Sequence, residues 1–82
     1  MNIQEANFIC SSYKSGGLYL RGLTIAKDLV LPKTVSGGLD LRGLTIAKDL
    51  VLPKTVSGWI DLRGLTSAEK KEIRDKGYSV LG

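Results

Sequence analysis

Residues 15–56 decide the fold, because one 21-residue string is written there twice. Ser15-Gly-Gly-Leu-Tyr-Leu-Arg-Gly-Leu-Thr-Ile-Ala-Lys-Asp-Leu-Val-Leu-Pro-Lys-Thr-Val35 is followed by the same string from Ser36 to Val56, with Tyr19 replaced by Asp40 as the only change. A third copy opens at Ser57, reads Ser-Gly-Trp-Ile-Asp-Leu-Arg-Gly-Leu-Thr66, and then departs. A fixed period of this length marks a stack of supersecondary units, each unable to bury its apolar face alone.

Within the repeat, Leu39-Asp40-Leu41-Arg42 alternates apolar and polar residues, the pattern of a strand with one buried face. Leu39 and Leu41 are expected to point inward, Asp40 and Arg42 toward solvent. Gly43 breaks the strand, Leu44 and Ile46 return to the inside, and Ala47-Lys48-Asp49 forms a polar turn. Leu50-Val51-Leu52 reads as a second strand, stopped by Pro53, with Thr55-Val56 as a third short extended side. Val30 and Val51 then face outward. The fold class expected is mainly β: a short β-solenoid of about three 21-residue coils with a C-terminal α-helical cap.

The alternative is a leucine-rich-repeat-like α/β horseshoe, since Leu39-x-Leu41-x-x-Leu44 resembles the start of that consensus. Leu23, Leu44 and Leu65 occupy the position where that consensus has Asn, and the apolar run before Pro53 favours strand over helix.

The whole chain, 1–82, reads as a single domain. Residues 1–14 form an N-terminal cap and partial coil, in which Phe8-Ile9-Cys10 falls in the frame of Leu29-Val30-Leu31. Residues 15–35, 36–56 and 57–66 are the repeats, and 67–82 a helical cap and tail. Thr66-Ser-Ala-Glu69 is a capping box, good helix formers follow as far as Lys76, and Gly77 is placed as a stop. In the tail, Leu81 is expected in the frame of Ile60 and Leu39.

Twelve Lys and Arg against eight Asp and Glu give a net charge of +4, short of a dense nucleic-acid-binding patch. The lone cysteine, Cys10, allows no internal disulfide and suits a reducing cytoplasm. The opening residues lack the basic and apolar regions of a secretory signal, and no apolar run is long enough to cross a bilayer. The expectation is a cytoplasmic domain.

Stacking in register turns each repeat position into a column. Arg21, Arg42 and Arg63 line one outer face, with Tyr19, Asp40 and Asp61 two residues before them. One reading is a solvated, salt-bridged face with no further role. The functional reading is a partner-binding surface made by Tyr19, Arg21, Asp40, Arg42, Trp59, Asp61 and Arg63, since Tyr, Trp and Arg dominate binding hot spots.

The lysine columns at Lys27, Lys48, Lys33 and Lys54 lack interleaved aromatics, so nucleic-acid binding is expected to be weak at most. There is no histidine, no base beside Cys10, and no glycine-rich phosphate loop. No catalytic residue, cofactor or metal site is expected.

Leu-Pro-x-x-Val-x-Gly-x-Leu-x-Leu-Arg-Gly-Leu-Thr, read from Leu31 to Thr45 and from Leu52 to Thr66, resembles the roughly 20-residue leucine-rich, solenoid-like repeats of small phage, prophage and bacterial proteins. The resemblance covers residues 15–66. It implies a non-enzymatic protein-interaction module, such as a phage-type inhibitor acting in the host cytoplasm, including an anti-CRISPR or other anti-defence protein. Two other readings stand beside it. One is an assembly protein or engineered repeat scaffold that self-associates, for example as a homodimer, through its coil ends. The other is weak polyanion binding through the Arg and Lys columns.

Overall fold

The computed structural model describes residues 1–81; Gly82, the last residue of the expected cap and tail, lies outside them. The elements run α1 (Ile3–Ser12), β1 (Leu18–Tyr19), β2 (Thr34–Val35), β3 (Leu39–Asp40), β4 (Thr55–Val56), β5 (Ile60–Asp61), α2 (Ser67–Asp75) and β6 (Val80–Leu81).

The repeat period is the register of both sheets. Leu18 stands opposite Leu39, and Leu39 opposite Ile60, in a four-stranded parallel sheet ordered β1-β3-β5-β6. Thr34 and Val35 stand opposite Thr55 and Val56 in a two-stranded parallel sheet. Successive copies therefore lie side by side, each donating backbone N–H groups to the next: Leu18 to the Gly38 carbonyl (2.8 Å), Leu39 to that of Trp59 (2.9 Å), and Ser57 back to that of Val35 (3.0 Å).

This packing turns the leucine positions into buried columns. Leu18, Leu39 and Ile60 form one, Leu20, Leu41 and Leu62 a second, and Leu23, Leu44 and Leu65 a third. Gly43 and Gly64 hold the copies together by lacking a side chain. A β-carbon on Gly43 would fall on the Arg21 carbonyl oxygen, and one on Gly64 on that of Leu44. Two i→i+3 turns bend each full copy. Leu44 N–H closes on the Leu41 carbonyl (3.0 Å) and Leu50 N–H on that of Ala47 (3.0 Å). Asp28 and Asp49 sit in the second turn at φ 66° and 65°, a left-handed conformation that Asp tolerates better than most residues.

Several expectations are corrected. The fold is mixed α/β rather than mainly β, because the six strands are two residues long each while the helices span 10 and 9 residues. Phe8-Ile9-Cys10 belongs to α1 rather than to a partial coil. Asn2 and Glu5 form a capping box that starts this helix, and Ala6 and Cys10, one helical turn apart, bury its inner face.

The apolar run Leu50-Val51-Leu52 is not a strand. The ladder forms after Pro53, at Thr55–Val56, where Thr55 N–H reaches the Lys33 carbonyl (3.4 Å) and Ser57 N–H that of Val35. Ile25 and Ile46 are exposed rather than inward, and Ala26 and Ala47 take the inner position as the chain enters its second turn. In the tail, Val80 pairs with Ile60 and Leu81 with Asp61, so the last strand is one residue out of the frame expected for it.

The two helices lie against the first and later copies. From α1, the Asn7 side chain donates to the Asp28 carbonyl (2.9 Å) and accepts from Val30 N–H (2.8 Å). From α2, Glu69 accepts from Ala47 N–H (3.2 Å), and beyond it the Tyr78 hydroxyl donates to the Pro53 carbonyl (2.7 Å). No helix of the described residues is long and apolar enough to cross a membrane.

Candidate functional site

The outer face of the four-stranded sheet carries an alternating ladder of charge. Arg21 Nε lies 3.1 Å from Asp40 Oδ2, and Arg42 Nη2 lies 3.0 Å from the same oxygen. Arg42 Nε lies 3.7 Å from Asp61 Oδ2, and Arg63 Nε 3.1 Å from Asp61 Oδ1. Each carboxylate is thus held between the arginines of two adjacent copies. The Asp side chains are only 8% exposed, whereas those of Arg21 and Arg63 are 62% and 60% exposed. The expectation that Asp40 and Asp61 point into solvent is corrected: they leave the core but are covered by the guanidinium groups.

Burial of Asp40 favours its neutral form, yet hydrogen bonds from the Arg42 side chain and backbone, with the charges of Arg42 and Arg21, outweigh it. Its pKa is held below the ordinary carboxylate value. The hydrogen bond to Asp40 in turn pushes the Arg42 pKa up.

The first copy breaks the ladder by placing Tyr19 where Asp40 and Asp61 stand. Tyr19 is exposed, and its ring lies over Gly17: a β-carbon there would meet the Tyr19 hydroxyl at 2.5 Å and Cζ at 2.7 Å. The third copy breaks the column beginning at Gly17 and Gly38, placing Trp59 in it with more than half its surface exposed. Between the two aromatics lies the bare backbone of Gly38.

Tyr19, Asp40, Arg42, Trp59, Asp61 and Arg63 line one shallow depression of about 360 Å³ around Gly38. Arg21 is tied to it through Asp40. The structure therefore brings all seven candidate residues onto one face, and adds the Gly38 floor.

Phe8, in the frame of the buried Leu29, is 71% exposed on α1 and borders a neighbouring depression with Tyr19. Its place on a helix face, rather than in a coil, is what took it outside, and the Asn2–Glu5 capping pair is the signal that marks that helix in the sequence.

Among the described residues there is no cluster of three or more metal-ligating side chains. Cys10 is buried on the inner face of α1, and burial pushes its thiol pKa up, away from nucleophilic reactivity. Scans against protein-family models, curated proteins and solved structures gave no match.

Proposed function

We propose that this chain is a short β-solenoid serving as a non-enzymatic protein-docking module, with the sheet face around Gly38 as its contact surface. The observation that carries the reading is where the repeat is broken. On a face otherwise made of identical rungs, Tyr19 and Trp59 replace the Asp and Gly of the repeat and stand on either side of a glycine floor. Aromatic anchors beside arginine are the composition of a binding hot spot. The resemblance of residues 15–66 to repeats of small phage and bacterial proteins favours a host protein as the partner, with inhibition by occupancy as the mode of action. Host defence machinery, including CRISPR effectors, is the class of target to test first.

The test restores the repeat. Tyr19→Asp places the residue of the second copy beside Arg21, and Trp59→Gly places that of Gly38 in the third copy. Both changes regularise the stack, so the fold and its thermal midpoint are expected to survive. Capture of a host protein on the immobilised chain is expected to weaken by about 2 kcal/mol, roughly 30-fold, for each change. Undiminished capture by the double variant would remove this face from the function.

A further inference from the structure

Resting on the docking reading above, we infer that the partner of this face is an acidic protein segment. It presents two carboxylates about 10 Å apart, on either side of an apolar side chain that enters the slot over Gly38. The chemistry follows from which charges the face leaves open. Asp40 and Asp61 are enclosed, so an approaching surface does not meet their carboxylates directly. Arg42 is engaged, its Nε 3.1 Å from Asp40 Oδ1 and its Nη2 3.0 Å from Oδ2. Arg21 and Arg63 are different. Each is anchored through Nε and remains about three-fifths exposed, so the paired Nη groups at its tip are oriented but open. A guanidinium fixed at one edge and open at the other is suited to bidentate capture of a carboxylate.

The two open arginines belong to the first and third copies, two inter-strand spacings apart, or roughly 10 Å. Arg21 belongs to the same copy as Tyr19, whose ring folds back over Gly17, and Arg63 to the same copy as Trp59, with Asp61 between the two along the chain. Two contact points for acids therefore lie in the copies on either side of the one that carries Gly38, whose bare backbone between the aromatics leaves room for one inserted side chain. Three arginines against two aspartates leave one net positive charge on the face. A phosphate backbone needs a continuous positive groove, whereas this face offers open guanidinium tips only at Arg21 and Arg63, with the neutralised Arg42 between them. An acidic peptide uses the open positions alone.

The experiment is selection from a displayed library of random 12-residue peptides on the immobilised chain, with the Tyr19→Asp/Trp59→Gly variant as counter-target. Enriched peptides are expected to carry two Asp or Glu flanking an apolar residue. Replacing both acids by their amides is expected to weaken anisotropy-measured binding at least tenfold, as is the Arg21→Gln/Arg63→Gln variant. Peptides enriched without carboxylates, or binding indifferent to either set of changes, would overturn the acidic assignment. So would tighter binding of a 15-nucleotide oligothymidylate than of the best peptide, which would assign the face to nucleic acid. Enrichment no greater than on the counter-target would overturn it as well. The docking reading fails separately, through host-protein capture that does not respond to the aromatic changes.

Discussion

At position 43 a β-carbon would coincide with the carbonyl oxygen of Arg21, whereas at position 22, the same place in the first copy, its nearest neighbours are atoms of Met1, at 3.1 Å. One contact is an overlap with backbone locked in the stack; the other is relieved by a shift of a few tenths of an ångström. Gly43→Ala is therefore expected to cost at least about 1–3 kcal/mol by forcing the copies apart, and Gly22→Ala a small fraction of that, as read from urea midpoints. Asp40 supplies a second prediction at this scale. Its folded-state pKa lies below the unfolded value of about 3.9, so its contribution is complete above the unfolded value and disappears as pH falls through the folded one. Asp40→Asn is expected to be less stable than the parent by about 1–3 kcal/mol near pH 6, with the gap closing below about pH 4. Some acid sensitivity should persist in the variant. Glu69 is also held below its ordinary pKa, by the Thr66 backbone and hydroxyl and by Ala47 N–H.

Helix α2 is tied to the repeats by that same carboxylate, which caps the helix through Thr66 and reaches Ala47 in the second copy. Thr66→Ala is expected to cost about 1 kcal/mol as a lost N-cap. Glu69→Ala has a more local signature: the Ala47 amide should exchange with solvent faster, while the Leu44 amide, bonded to Leu41 within its own turn, should keep its protection. Equal acceleration at both amides would mean that Glu69 acts on the whole stack rather than on this junction. These elements also show what the sequence displays. The Leu39–Asp40 alternation, the 21-residue register and the Thr66–Glu69 box could all be read, because each depends on neighbours in the chain or on the copied string itself. Helix α1 was hidden because Phe8-Ile9-Cys10 matches the apolar frame of Leu29–Leu31, and apolar character alone does not separate a helix face from an extended run. The same ambiguity put a strand at Leu50–Leu52. Leu50 and Leu52 are half-buried against the core while Val51 is exposed, the Leu50 N–H closes the turn onto Ala47, and pairing between copies lies beyond Pro53. The charged columns at the site were legible; the covering of Asp40 was not, since it depends on arginines from two copies folding over one carboxylate.

For the molecule as a whole, scaffold and site can be separated by changing the number of copies. A further Ser36–Val56 unit inserted after Val56 would meet a copy on each side and bury its own Leu39, Leu41 and Leu44 equivalents between them. It would also extend the Asp–Arg ladder by one rung. Stability in a stacked array grows with each interface added, so the thermal midpoint should rise, and the urea dependence should steepen with the extra surface exposed on unfolding. The helices need not change, since α1 would still cover the first copy and α2 would still meet the unit before the last. The docking face would change. Tyr19 and Trp59 would move from two strand spacings apart to three, from roughly 10 Å to roughly 14 Å, with two glycine floors between them instead of one. The expected result is a more stable protein that no longer holds its partner. Removing residues 36–56 should fail on both counts, because it deletes the middle interface together with the Gly38 floor and brings the aromatics onto adjacent strands. If the lengthened chain bound as well as the parent, the spacing of the two aromatics would have no part in recognition, and one end of the face would have to suffice.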